Sequence, residues 1–211
     1  MGDHVLTFHG NSGLYLKNLV KCNETYRRED DPLHAAIIAA SLEREIIMEQ
    51  TVIQSPLGPL TLFSENQCLI ALVFGRYGSY DDTPLFRKAK RQLDEYFSGQ
   101  RQTFSLPLHP EGTAFQRRVW LALQGIPYGT AISYRELAAR VGSPRGFQAV
   151  GQANGHNPLP ILIPCHRVIA ADGSLGGYAS GLDRKRFLLD LEGVPVKETV
   201  SGRGIEHLSA E

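Results

Sequence analysis

Cysteine is scarce in this chain. Three residues, Cys22, Cys68 and Cys165, are too few and too odd in number for a disulfide framework, and they read as reduced thiols of a cytosol-like compartment. They stand 46 and 97 residues apart with no Cys-x-x-Cys pair, so no zinc site is expected. Long apolar runs are missing too. The longest, Ala35 to Leu42, is about eight residues against the roughly 20 that span a bilayer, and it lacks the basic flank of a signal peptide. No membrane partner is expected. Neither charge is in excess, since Lys+Arg and Asp+Glu both number 22, so global charge gives no sign of a polyanionic partner. The rest is ordinary: 42% hydrophobic and 21% charged residues in a chain of 211 exclude wholesale disorder and suit one or two domains.

The charge is uneven along the chain. Residues 1–47 hold five basic and seven acidic side chains, whereas residues 113–191 hold nine basic and four acidic ones. A basic second half suits a phosphate-contacting face, and equally an ordinary solvated surface.

Local signals divide the chain into four parts. Residues 1–47 read as an atypical, flexible extension, solvated around Arg27 to Asp31 and dispensable for function, with a helix possible over Leu33 to Ile47. Residues 48–110 read as a small α/β module. Thr51 to Gln54, Leu60 to Phe63 and Cys68 to Phe74 form an antiparallel meander, with turns at Ser55 to Pro59 and Glu65 to Gln67. Leu85, Phe86, Ala89, Leu93, Tyr96 and Phe97 recur at helical spacing, Ser98-Gly99 ends that helix, and Gln102 to Leu106 suggests one more strand. Pro107 to Gly112 reads as a linker. Residues 111–193 read as mostly helical. Thr113 caps one helix that Gly125 stops, and Ser133 caps a second over Tyr134 to Val141. Ser143-Pro144 opens a third over Arg145 to Asn154. The last two helices make a weak helix-turn-helix signal. Residues 194–211 read as a polar tail. The fold class expected is therefore α+β.

Ala149, Gly151 and Ala153 give the third helix a nearly smooth face. Tight helix packing accounts for that, and so does close approach to a backbone or a narrow groove. The most informative stretch is Asn157 to Val168, where Cys165 sits between Pro164 and His166. A thiol nucleophile needs a base, and the base needs an orienting carboxylate. His166 and Glu192 are candidates for these roles. The competing reading makes Cys165 a small buried hydrophobe.

Pro164-Cys165-His166-Arg167-Val168 resembles the active-site signature of the O6-alkylguanine-DNA alkyltransferases, the methylated-DNA–protein-cysteine methyltransferases. The resemblance runs from about Met48 to Gly193. It takes in Pro127-Tyr128-Gly129, Ser133 to Ala138, Ala149 to Asn154, Asn157-Pro158, Gly177-Tyr178, Gly181-Leu182 and Glu192-Gly193. It implies direct-reversal DNA repair without a cofactor. The protein would be a monomer acting on double-stranded DNA, cytoplasmic or wherever the DNA is. One alkyl group would pass from O6-alkylguanine, or O4-alkylthymine, irreversibly to the protein, after the base is flipped out through the minor groove.

By resemblance, Cys165 accepts the alkyl group, His166 draws the thiol proton through a water, and Glu192 holds the imidazole. Tyr134 hydrogen-bonds the base and pushes on the phosphate, and Asn157 braces the turn between the third helix and an active-site strand. The carbonyls of Cys165 and Val168 take the guanine amino group, while Pro160, Tyr178, Ala179 and Ser180 wall the pocket. Tyr134, Arg145, Gln148, Ala149, Gly151 and Arg167 would meet DNA. Gln148 departs from the pattern, which has an arginine that fills the hole left by the base; Arg145 could compensate at the phosphates. Other readings are a non-catalytic lesion binder, whose acceptor cysteine is typically replaced, a helix-turn-helix regulator, which would need a further cysteine cluster, and, remotely, a cysteine hydrolase.

Overall fold

Met48 to Phe74 holds three short apolar-rich segments separated by two turn sequences, and it folds as an antiparallel meander. In the computed structural model, which describes residues 48–78 and 80–197, strands β1 (Met48–Ile53), β2 (Leu60–Glu65) and β3 (Cys68–Phe74) pair in that order. The expectations for residues 1–47 and for 198–211 lie outside the described residues. Asn66 and Gln67 both have positive φ (49° and 61°), as a tight two-residue hairpin between right-twisted strands requires. Helix α1 (Pro84–Phe97) follows. Thr83 accepts the Phe86 N–H as N-cap, proline occupies the first turn, and Phe86, Ala89, Leu93 and Tyr96 are buried.

The strand expected at Gln102 to Leu106 is absent. Gln92 of α1 accepts the Ser105 N–H at 2.9 Å and Lys88 donates to the Ser105 carbonyl at 2.6 Å, so helix side chains take the groups a ladder would need. The sheet edge is instead met at Leu108, where the Leu69 N–H donates to Pro107 and the His109 N–H to Leu69.

Helix α2 (Ala114–Gln124) starts with a full capping box, Thr113 with Gln116, a device worth about 1 kcal/mol. A two-residue parallel pair joins β4 (Ile132–Ser133) to β5 (Val168–Ile169). Ser133 also caps α3 (Tyr134–Arg140), so this pair sets Tyr134 beside the segment that carries Cys165. Helix α4 begins later than predicted, at Phe147, and runs to Gly155. Ser143 is not its cap. The Ser143 N–H donates to Ala138 and helps end α3, and its carbonyl accepts the Gly146 N–H at 2.8 Å. Cys165–Arg167 form one 3-10 turn rather than a strand, and α5 (Leu182–Leu191) closes the described fold.

The two halves share a core. Leu60, Leu69, Leu93 and Tyr96 belong to the same buried cluster as Trp120, Leu137, Val150, Ile163 and Leu188. The Leu72 N–H of β3 donates to the Pro158 carbonyl, which anchors the Asn157 turn to the sheet. Val194 is buried with Leu175 and Leu189, so the first residue of the expected tail packs inside.

Candidate active site

Between α4 and the 3-10 turn the chain doubles back. The Asn157 side chain holds this loop from both sides, donating to the Ile163 carbonyl at 2.8 Å and accepting the Leu159 N–H at 3.1 Å. Within it, buried Ile161 has φ 74°, a left-handed conformation that strains a β-branched residue by about 1–3 kcal/mol. The brace keeps this strained turn in place, and Pro160 and Cys165 project from its two ends into one cavity of about 400 Å3. That volume suits a base-sized ligand. Tyr134, Gly151, Asn154, Asn157, Tyr178, Ala179 and Ser180 also line it. Gly176, before the lining residue Gly177, has φ 65°, and a Cβ there would stand 3.1 Å from the Tyr134 ring, so both backbone and space call for glycine.

Behind Cys165 lies a buried charge cluster centred on Glu192. Oε1 accepts from His166 Nε2 at 2.9 Å, Tyr96 at 2.7 Å and Arg167 Nη2 at 2.9 Å. Oε2 accepts from Arg167 Nε at 2.8 Å and the Gly129 N–H at 3.4 Å. Arg167 also donates to the Ile126 carbonyl at 2.6 Å. Burial alone would raise the Glu192 pKa. The hydrogen bonds and positive charge of this shell outweigh it and hold the carboxyl near 2. His166 moves the other way: burial lowers its pKa below the ordinary 6.5, so the ring is neutral at pH 7.

Both shifts act in the same direction on stability. Each group binds protons more readily in the unfolded chain, so stability falls as pH drops below 6.5 and falls further from 4.5 toward 2. Melting temperature measured from pH 8 to pH 3 is expected to hold near neutrality and decline in that window. A flat profile would mean that neither group is perturbed.

The protonation states define what the site can do. Burial raises the Cys165 pKa above its usual 9.0, against the lowering effects of the Asn157 and Tyr178 side chains and Lys185, so the resting group is a thiol. With Glu192 ionised, His166 carries its proton on Nε2, which leaves the Nδ1 lone pair as a base. Nδ1 is buried and has no hydrogen-bond partner among the described residues. A thiol, a neutral imidazole on the next residue and a carboxylate bonded to that imidazole are the parts of an activated sulfur nucleophile.

Cys165, Tyr134, Asn157, Pro160, Tyr178, Ala179 and Ser180 line one cavity, and His166, next to Cys165 in the chain, is bonded to Glu192. Arg145, Gln148 and Ala149 are exposed, and Gly151 is half-buried at the cavity. Arg167 is a correction. Expected on the DNA face, it is buried against Glu192, because an ionised carboxylate in the interior must be paired. Val168 is not among the residues around the cavity, and its carbonyl accepts Lys185 Nζ at 2.6 Å, which leaves its second lone pair free for another donor.

Sequence reasoning missed Lys185 altogether. Its buried ammonium also donates to the carbonyls of Leu175 (2.5 Å) and Gly177 (3.2 Å), tying β5 to the loop over the cavity. Burial lowers its pKa to about 8, and a thiolate at Cys165 would raise it again. The signal was present, since Lys185, Leu188, Leu189 and Glu192 fall on one helical stripe and two of the four are charged. Asn154 was given no role. It donates to the Cys165 carbonyl at 3.4 Å while its own buried Oδ1 has no partner among the described residues.

Residues 48–110 match the family described as 6-O-methylguanine DNA methyltransferase, ribonuclease-like domain, and residues 114–194 match its DNA binding domain. A methylated-DNA–protein-cysteine methyltransferase of Methanosarcina barkeri is 49% identical over 153 residues, 69% of this chain and 97% of that protein. The constitutive enzyme of Bacillus subtilis is 46% identical over 160 residues, 70% of this chain and 97% of that one. Among solved structures, Mycobacterium tuberculosis OGT in complex with DNA superposes with a TM-score of 0.64 at 47% identity, covering 68% of this chain and 91% of that one.

Proposed function

The chain belongs to the 6-O-methylguanine DNA methyltransferase family, and from that premise we propose a mechanism in which Cys165 is the alkyl acceptor of direct-reversal DNA repair. The activity is that of a methylated-DNA–protein-cysteine methyltransferase, and its partner is DNA. The observation that carries the assignment of residues is the series Cys165, His166, Glu192 set against a cavity of base size.

In this reading O6-alkylguanine leaves the stack and enters the cavity, because its reacting carbon is out of reach inside a duplex. The Cys165 proton passes to His166 Nδ1 through a water. The sulfur then attacks the sp³ carbon on O6 in line, forming an S–C bond as the C–O bond breaks. The bonding electrons go to the guanine, and Tyr134, whose hydroxyl otherwise donates to the Gly177 carbonyl at 3.1 Å, hydrogen-bonds the departing ring. The positive charge of His166 so formed sits against Glu192. Water does not displace the thiolate from the S–C bond of the thioether so formed, so each molecule acts once. O4-alkylthymine offers the same kind of carbon and is a second substrate. Exposed Arg145, Gln148 and Ala149 meet the DNA backbone. Residues 48–110 act as a supporting α/β domain and 111–193 as the DNA-binding and transfer domain. The protein works as a monomer wherever the DNA is kept, and among the described residues no helix is long and apolar enough to cross a membrane.

The test is intact mass after incubation with duplex DNA containing one O6-methylguanine. One methyl group per chain, mapped to the Cys165 peptide, is expected. Methyl on Cys22 or Cys68, or none, refutes the assignment.

A further inference from the structure

Phe147, the first residue of α4, is a large apolar side chain 49% exposed to solvent. It belongs to neither buried cluster and is not among the hydrophobic residues packed against them. Its position on the helix gives this exposure a direction. At about 100° per residue, Phe147 lies about 40° around α4 from Gly151 and about 20° from Asn154. Both of those residues line the cavity beside Cys165. Phe147 therefore continues the cavity-lining stripe of the helix, about 6 Å further along its axis, and helical side chains tilt toward the N-terminus, so the ring projects beyond the end of that stripe. The adjacent residues Gln148 and Ala149 are exposed but carry no charge and no ring.

We propose, resting on the function argued above, that Phe147 is a wedge that enters the base stack and occupies the gap left when the target nucleotide turns into the cavity. An extruded base leaves two apolar base faces open to water and a duplex free to reclose. A phenyl ring between those faces covers them and obstructs the return. Apolar side chains are inserted between base steps in this way by proteins that approach from the minor groove. Stacking on a ring does not depend on which base is stacked, which suits a protein that must act in any sequence context. The aromatic side chain thus supplies at position 147 the bulk and stacking that the short amide of Gln148 does not.

Three full-length variants test this: Phe147→Ala, Phe147→Leu and Phe147→Trp. Each is assayed for alkyl transfer from O6-methylguanine in duplex DNA and from free O6-benzylguanine, which requires no extrusion. Phe147→Ala is expected to slow the duplex reaction about tenfold or more, the scale of one lost stacking contact, and to leave the free-base reaction within about twofold. Phe147→Trp should restore the duplex rate, with Phe147→Leu between. Equal slowing on both substrates would make Phe147 a structural residue, and an undiminished duplex rate would leave it without a role; either result overturns the wedge. A wild-type chain that reacts with neither substrate would overturn the functional reading itself and the wedge with it.

Discussion

Cys165→Ala is expected to abolish alkyl transfer from both duplex DNA and a free base analogue, with duplex binding retained. The two outcomes separate because the thiol is the reacting atom, whereas the candidate DNA contacts Arg145, Gln148 and Ala149 lie on the exposed surface of another segment. Cys165 is buried, and its replacement by alanine removes one sulfur from a position in the core cluster. The expected stability loss of about 1 kcal/mol is small beside the loss of activity. Cys165→Ser extends the test, because a serine hydroxyl is a far poorer nucleophile than a thiol with the same neighbours. The measurement is mass gain per chain alongside a DNA-binding isotherm. Transfer retained in either variant would remove Cys165 from the mechanism; binding lost together with transfer would show that the variant no longer presents its DNA surface.

Glu192→Gln should be the most damaging substitution outside the thiol. It leaves the Arg167 guanidinium buried without its carboxylate, and breaking one side of such a pair costs about 3–5 kcal/mol. For an ordered unit of this size that lowers the melting temperature on the order of 10 °C. It also removes the acceptor that fixes the proton on His166 Nε2 and stabilises the imidazolium, so transfer slows by about 10²–10⁴-fold. A double variant, Glu192→Gln with Arg167→Met, distinguishes the two effects. Removing the stranded charge should return much of the melting temperature, whereas the rate should stay low because His166 still has no carboxylate. Recovery of both would mean that Glu192 serves stability alone. The same variant should flatten the acid limb of the stability profile below pH 4.5, where protonation of Glu192 contributes.

The amino-acid sequence by itself determined what depends on near neighbours. The meander from Met48 to Phe74, the α1 stripe, the caps at Thr113 and Ser133 and the stop at Gly125 rest on propensities and hydrogen bonds that span a few residues, so they are readable in a short window. The Pro164 to Val168 motif likewise places Cys165 and His166, a nucleophile and a base, on neighbouring residues. Tertiary structure decided everything that depends on which groups lose water together. Arg167 looks like a surface cation in sequence. Only the approach of Glu192, 25 residues away, and of Tyr96, 96 residues from Glu192, turns it inward, since a carboxylate enclosed there must be neutralised and hydrogen-bonded. Lys185 is buried for the same kind of reason, with three carbonyls from distant segments converging on its ammonium. Gln102 to Leu106 had the composition of a strand, but Gln92 and Lys88 claimed Ser105 first. Ser143 had the makings of a helix cap, but the end of α3 took its N–H. Phe147 would have passed for core by composition; with the core filled without it, the ring stands exposed in line with the cavity that holds Cys165.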